Sequence, residues 1–74
     1  MNNDIKANVG NRIRELRKIK GISQETLAGI ADIDRTYMTS VENGKRNISI
    51  VNIEKIATAL GVSIKDFFND SSFN

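Results

Sequence analysis

The chain has 74 residues, a formal net charge of +2, and neither cysteine nor histidine. A chain of this length makes one domain, and without Cys or His it lacks disulfides, thiolate or imidazole metal ligands and an imidazole base. The sequence contains no run of about 18 apolar residues, the length that a membrane-spanning helix needs. We therefore expect a single cytoplasmic domain, residues 1–74, with no cofactor and no metal.

The positive charge is concentrated in the first half of the chain. Residues 1–20 carry six basic side chains against two acidic ones, whereas residues 47–74 carry two basic side chains against three acidic ones. A basic segment indicates a polyanionic partner such as nucleic acid. The alternative is an ordinary solvated helix surface, and the charge pattern alone does not separate the two.

The first predicted helix follows Asp4, a candidate N-cap, and stops at Gly21, the residue type that most often ends helices. Its apolar residues recur at spacings of four, four and three, typical of a helix with one buried face: Ile5, Val9, Ile13 and Leu16. Gly10 costs about 1 kcal/mol relative to Ala, so the helix could begin only near Asn8. Four basic side chains are expected to face outward: Arg12, Arg14, Arg17 and Lys18.

Residues 23–44 predict two short helices joined by a tight turn. Ser23 and Asp34 are candidate N-caps. Asp32 lies between them, where the reversing chain needs a left-handed residue, a conformation that Asp tolerates. Apolar or small residues recur on the inner side of both helices: Leu27, Ala28, Ala31, Ile33, Met38 and Val41. This pattern is typical of a helix-turn-helix, whose second helix commonly enters the DNA major groove.

The third helix, predicted at about Arg35 to Asn43, has a polar outward side. With Met38 and Val41 inward, that side carries Arg35, Thr36, Thr39 and Ser40, flanked by Tyr37 and Asn43. Thr and Ser are poor helix formers, and small hydroxyl side chains suit a helix whose backbone approaches base edges closely. Gly44 is expected to end this helix in a left-handed conformation.

Several side chains of this region have more than one interpretation. Arg35 could contact O6 and N7 of guanine, or pair with Glu42 or Asp32 instead. Thr36 could contact a thymine methyl group or a phosphate. Tyr37 could reach a phosphate or fill a gap between helices, and Glu42 is expected to brace the fold rather than bind DNA.

The last third of the chain predicts two more helices. Ser49 is a candidate N-cap and Gly61 the expected end of the fourth helix, and Ser63 with Asp66 resembles the capping box of a short fifth helix. Twelve of the 21 residues from Ile48 to Phe68 are apolar. Some of them exceed the need of a monomer core, so we expect a dimer interface that includes Ile48, Ile50, Val51, Ile64 and Phe67. The alternative is that all of them are core. Residues 70–74, which are polar apart from Phe73, and residues 1–3 are expected to be frayed.

Three strings resemble the Cro/C1-type (XRE) helix-turn-helix family: Ser23-Gln24-Glu25-x-Leu27-Ala28, Ile33-Asp34-Arg35 and Val41-Glu42-Asn43-Gly44-Lys45-Arg46. The similarity continues through Ser49 and residues 56–63. Residues 34–38 and 44–49 resemble more specifically the controller proteins of restriction–modification systems. The resemblance implies an all-α, compact five-helix domain of the lambda-repressor-like type with a central helix-turn-helix.

The resemblance also implies where DNA is contacted. Gln24 and the first amides of its helix would bind a phosphate, and Glu25 could accept from cytosine N4, brace a neighbouring Arg, or favour the helix dipole. The family places backbone contacts near Arg17 and Lys20 and in the loop after the third helix. The full set of expected DNA contacts is Arg17, Lys20, Gln24, Glu25, Arg35, Thr36, Tyr37, Thr39, Ser40, Asn43, Arg46 and Asn47.

The function that follows is sequence-specific transcriptional regulation by a homodimer on a palindromic operator in double-stranded DNA. A controller protein would regulate its own gene and time the expression of the endonuclease. RNA polymerase is a candidate partner that the sequence leaves open, and we expect no membrane and no small-molecule ligand. A phage-type repressor, an antitoxin-like regulator and a protein-interaction module that has lost DNA binding are the alternatives. An enzyme is disfavoured because the chain lacks His, Cys and a glycine-rich phosphate loop.

Overall fold

The computed structural model describes residues 4–74, and the regular elements in this range are all helical. They are α1 (Ile5–Lys20), α2 (Gln24–Ala31), α3 (Arg35–Glu42), α4 (Ile50–Leu60), α5 (Ile64–Phe67) and a short 3-10 helix (Ser71–Phe73). The expected all-α class is therefore confirmed. Residues 1–3, which were expected to be frayed, lie outside the described residues. No helix among residues 4–74 is long and apolar enough to cross a membrane.

Every α-helix begins after a side chain that accepts a hydrogen bond from an amide of its first turn. These N-caps are the ones expected from the sequence: Asp4, Ser23, Asp34, Ser49 and Ser63. They satisfy amides that have no partner inside the helix. Because Asp4 caps α1 directly, the helix begins at Ile5, and the suggested later start near Asn8 is wrong.

Gly10 lies where α1 crosses the end of α3. A Cβ atom built at this position would lie 2.5 Å from the carbonyl oxygens of both Val41 and Glu42. Only a residue without a side chain lets the two backbones approach this closely. The low helix propensity of Gly10 is therefore offset by the packing that it permits between α1 and α3.

The core contains one completely buried side chain from each α-helix. These five side chains have 0% exposure and meet at the centre of the domain: Ile13, Leu27, Met38, Ile56 and Phe67. Phe67 was expected at the dimer interface, and that prediction is wrong, because α5 turns its aromatic ring into the monomer. Its ring packs edge-on against Phe68, with 4.9 Å between the ring centres.

The turn between α2 and α3 has the predicted conformation. Asp32 adopts a left-handed backbone with φ of 55°, and the amide of Ile33 donates to the carbonyl of Ala28 over 2.9 Å. This closes α2 and lets Asp34 cap α3 two residues later. Gly44, with φ of 72°, reverses the chain after α3 as expected.

The basic side chains of α1 do not all face outward, which corrects the prediction. The side chain of Arg12 is only 13% exposed, and its guanidinium donates to the carbonyls of Phe67 and Asp66 at 2.7 and 2.8 Å. Arg12 thus satisfies carbonyl groups at the end of α5. Arg14 and Arg17 are directed at Glu42. Three of the six basic side chains of this segment are therefore used in contacts within the fold, whereas its three lysines are exposed, so its charge is weaker evidence for a polyanionic partner than the sequence suggested.

Residues 70–74, which were expected to be frayed, lie against α1 and α5. Phe73 packs edge-on against Phe68 with ring centres 4.9 Å apart, and Asn8 Nδ2 donates to the carbonyl of Ser72 over 3.1 Å. The pKa of the Asp70 carboxyl lies below its ordinary value, chiefly because the carboxylate accepts hydrogen bonds from the hydroxyl and the amide of Ser72. The positive charge of Arg12 lowers this pKa further. The ring of Phe73 and the Asp70 cap thus hold in place a segment whose other residues are polar.

Candidate nucleic-acid interface

The helix α3 has one buried and one polar face. Met38 and Val41 are 0% and 1% exposed and hold the helix against the core. On the opposite side Thr36, Ser40 and Asn43 follow one another at spacings of four and three, so they form one line along the helix surface. Thr36 and Asn43 are exposed and Ser40 is half-buried. The outward line has no side chain larger than Asn, so the helix backbone can come close to a flat or grooved partner.

Arg35 stands at the first position of α3 and points towards α2. Its Nη1 lies 3.4 Å from Glu25 Oε2, and the two side chains are 65% and 75% exposed. The partner of Arg35 is therefore Glu25, and neither Asp32 nor Glu42, which were the alternatives. An ion pair this exposed contributes little to stability, so it orients the guanidinium without fixing it. The remaining donors of Arg35 face solvent and can contact a base edge.

Gln24 and Thr39 connect the first turn of α2 with the middle of α3. Thr39 Oγ1 lies 2.6 Å from Gln24 Oε1 and 3.0 Å from the carbonyl of Arg35, and its single hydrogen can be donated to either. When Gln24 Oε1 accepts this bond, the side-chain NH2 group remains a donor at the start of α2. Together with the first amides of α2, that group suits an anion such as a phosphate.

Tyr37 and the loop after α3 form a second polar cluster. The Arg46 guanidinium carbon lies 4.8 Å from the centre of the Tyr37 ring, and Asn52 Nδ2 donates to the Tyr37 hydroxyl over 3.2 Å. Arg46 and Asn47 are exposed and Tyr37 is half-buried. The ring of Tyr37 packs against the core, as expected if it fills a gap between helices, and a contact of its hydroxyl with a phosphate stays a prediction. Asn52 had no distinguishing signal in the sequence.

Two residues of the expected contact set lie elsewhere. Arg17 uses Nε and Nη2 in a two-pronged pair with the Glu42 carboxylate, both at 3.0 Å, and Nη1 on the carbonyl of Ile22. Glu42 is 2% exposed, which confirms that it braces the fold. The Lys20 ammonium lies 3.8 Å from the Cβ position built on Gly61, at the carboxyl end of α4, where the helix dipole favours a cation. The structure therefore removes Arg17 from the set and places Lys20 beside α4 rather than α3.

An exposed apolar patch lies on α4 and α5. Ile50, Val51 and Ile64 are 65%, 59% and 36% exposed, and Ile48 is half-buried beside them in sequence. With Phe67 in the core, the expected interface reduces to these four residues. The alternative that every apolar residue of this region is core is wrong for Ile50 and Val51.

The model of the Helix-turn-helix family (HTH_3) matches residues 13–67 of this chain. The chain belongs to this family. The control protein C.MunI of a Mycoplasma species is 52% identical over 69 residues, which are 92% of this chain and 93% of the relative. The control protein C.BamHI of Bacillus amyloliquefaciens is 46% identical over 70 residues, which are 93% and 86% of the two chains.

A solved structure leads to the same assignment. The crystal structure of the restriction–modification controller protein C.AhdI from Aeromonas hydrophila has a TM-score of 0.82 and 51% sequence identity, and covers 85% of this chain and 96% of its own. This helix-turn-helix protein is thus a member of the regulator family expected from its sequence, and it is similar to restriction–modification controllers over most of its length. Its named relatives are control proteins and transcription regulators, and not enzymes.

Proposed function

We propose that this protein is a homodimeric controller of a restriction–modification system that binds a palindromic operator. Each subunit places α3 in the major groove, and the two α3 helices read half-sites about 34 Å apart. Base contacts supply selectivity, and contacts to phosphates supply most of the affinity. The protein acts in the cytoplasm at the nucleoid.

The observation that carries this proposal is the outward face of α3. It combines an exposed guanidinium, Arg35, with a line of short polar side chains, while the opposite face of the helix is completely buried. Arg35 can donate to both O6 and N7 of one guanine, and Thr36 can contact a thymine methyl group or a phosphate. Ser40 and Asn43 continue this line further along the helix, and Thr39 lies beside it with its hydroxyl 2.6 Å from Gln24 Oε1.

Backbone contacts are proposed on both sides of α3. Gln24 and the first amides of α2 bind one phosphate of the DNA. Arg46 and Asn47 bind the DNA backbone on the other side of α3. Glu25 acts through Arg35, since its carboxylate is 3.4 Å from the guanidinium at the start of α3. This arrangement frames the base-reading helix between two backbone sites and fixes its register on the duplex.

The apolar patch supplies the dimer. Ile50 and Val51 are adjacent on α4 and, like Ile64 on α5, are exposed in the monomer. Exposed large apolar side chains favour an interface, here between two copies related by a two-fold axis. Because the chain has only 74 residues, a single copy also has a small core, and burial of this patch would add to the stability of each subunit.

The controller role is supported by similarity to the control proteins described above. In that role the protein binds upstream of its own gene and of the endonuclease gene, activates at low occupancy through RNA polymerase, and represses when further sites fill. A phage-type repressor or an antitoxin-like regulator would use the same α3 surface, and the genes beside the operator distinguish these roles.

Selection of bound sites from random DNA tests the proposal. We expect an enriched palindrome with guanines at symmetric positions, bound by a dimer in sedimentation or light-scattering measurements. Affinity for it should fall by about three to five decades between 50 and 200 mM salt if 6–10 phosphates are contacted. A protein-interaction module that has lost DNA binding would enrich no sequence, and that result would contradict the proposal.

A further inference from the structure

Tyr37 connects α3, the loop after it and the first turn of α4. Its hydroxyl accepts a hydrogen bond from Asn52 Nδ2 over 3.2 Å, and its ring packs against the core as a partly buried side chain. The exposed residue Arg46 lies with its guanidinium over the same ring, 4.8 Å from the ring centre. The ring therefore packs against the core on one side and contacts the Arg46 guanidinium on the other.

We propose that Tyr37 and Asn52 are positioning residues that hold Arg46 beside α3 before DNA is bound. The inference deepens the proposed function, and rests on Arg46 being a backbone contact. A loop arginine has many rotamers, and fixing it on a phosphate costs conformational entropy. When the guanidinium already rests on an aromatic face, part of that ordering exists in the free protein and the cost at binding is lower.

Asn52 has a specific part in this arrangement. Its backbone amide donates to the Ser49 cap over 3.1 Å, so Asn52 belongs to the fixed first turn of α4 rather than to the loop. The side-chain amide then fixes the position of the Tyr37 hydroxyl, and with it the direction in which the ring points. Since Ile50 and Val51 lie in the same turn, the turn that orients the ring also carries the proposed dimer patch.

The contact is selective for one of two neighbouring cations. Lys45 and Arg46 are both exposed and adjacent in the loop, but in the part of the chain that the structure describes only Arg46 lies over the ring. A planar guanidinium stacks on an aromatic face better than an ammonium group does. Lys45→Ala is thus a matched control for Arg46→Ala, because it removes the same charge from the same loop.

NMR of the DNA-free protein tests the geometry. The side-chain protons of Arg46 should be shifted upfield by the Tyr37 ring in the wild type, and should return to random-coil positions in Tyr37→Leu. The shift should decrease, without disappearing, in Asn52→Ala and in Tyr37→Phe, because each of these variants lacks the hydrogen bond between Asn52 and the hydroxyl. Random-coil positions for Arg46 in the wild type would overturn the proposal, and an unchanged shift in Asn52→Ala would overturn the part assigned to Asn52.

A double-mutant cycle on operator binding tests the role. Tyr37→Leu should weaken binding by about 2- to 5-fold per subunit, the worth of a cation–π contact at an exposed site, and by much less when Arg46 is already Ala. It should retain its full effect in the Lys45→Ala background. Equal effects of Tyr37→Leu with and without Arg46 would overturn the proposal, because Tyr37 would then act on DNA itself or through the fold.

The same cycle with Tyr37→Phe separates a hydroxyl–phosphate contact from positioning. If the Tyr37 hydroxyl binds a phosphate directly, Tyr37→Phe weakens binding equally in both Arg46 backgrounds, and the positioning role fails while the proposed function stands. If the wild-type protein selects no operator at all, the proposed function fails, and the positioning role fails with it.

Discussion

Arg35 is the residue whose removal should separate specific from non-specific DNA binding. In the free protein Arg35 forms an exposed ion pair with Glu25 at 3.4 Å. Such pairs contribute about 0.2–1 kcal/mol to stability, so Arg35→Ala should leave the free energy of unfolding within about 1 kcal/mol of the wild type. A large change in binding can then be assigned to the lost contact with DNA rather than to the fold.

The expected change in binding follows from the number of contacts. One arginine–guanine pair discriminates by about 1–3 kcal/mol, and a symmetric dimer makes the contact twice. For separated half-sites the two contributions are roughly additive, so operator affinity should fall by about 2–6 kcal/mol, which is about 30-fold or more. Affinity for a scrambled duplex should change far less, because that binding depends on phosphate contacts.

Fluorescence anisotropy with the operator and a scrambled duplex, at one salt concentration, measures both affinities. Arg35→Lys keeps the charge without the two-pronged donor geometry, and it should lose most of the discrimination as well. Lys55→Ala removes an exposed positive charge from α4 and serves as the control. If Arg35→Ala binds the operator as the wild type does, or loses affinity equally for both duplexes, the assignment of Arg35 to a base is wrong.

Four further predictions concern the packing of α3, the dimer interface and the docked tail. Glu42→Ala leaves two partly buried donors of Arg17 without their carboxylate and should lower the free energy of unfolding by about 3–5 kcal/mol in urea titrations; a loss below 1 kcal/mol would contradict a bracing role. Gly10→Ala should destabilise by about 1–3 kcal/mol through overpacking, and any gain in Tm would show that α1 and α3 tolerate separation. Ile50→Glu should give a folded monomer by sedimentation and circular dichroism, whereas Phe67→Glu should unfold the domain. The hydrogen bonds that lower the pKa of Asp70 stabilise the docked tail when the carboxyl is ionised, at pH values above that pKa. The NMR signals of the tail should therefore lose their dispersion as the pH falls through the pKa of Asp70, and this pH dependence should be absent in Asp70→Asn. Unchanged signals down to pH 2 would refute the role of Asp70 as the cap of the tail.

Local features of this fold could be predicted from the sequence because they depend on neighbouring residues. Each N-cap is followed within three residues by the amide that it satisfies, and the left-handed position of Asp32 follows from the short distance between α2 and α3. The polar face of α3 follows from the spacing of Met38 and Val41 alone.

The features that were mispredicted depend on residues distant in the chain. Arg17 is basic and sits on a surface helix, and only the position of Glu42, 25 residues later, shows that it is used inside the fold. Phe67 and Ile50 are both apolar residues in short amphipathic segments, and their opposite environments depend on how α5 docks on the domain. Pattern arguments do not contain this information, because helical spacing defines a face but not what covers it.

Interference by guanine methylation tests most directly whether α3 reads bases in the major groove. Methylation at N7 blocks the acceptor that Arg35 would use, so one guanine in each half-site should abolish wild-type binding when methylated. The same guanine should have no further effect on Arg35→Ala, whose residual binding no longer uses that atom. Interference at the same guanine in both proteins, or at no guanine in either, would contradict the account.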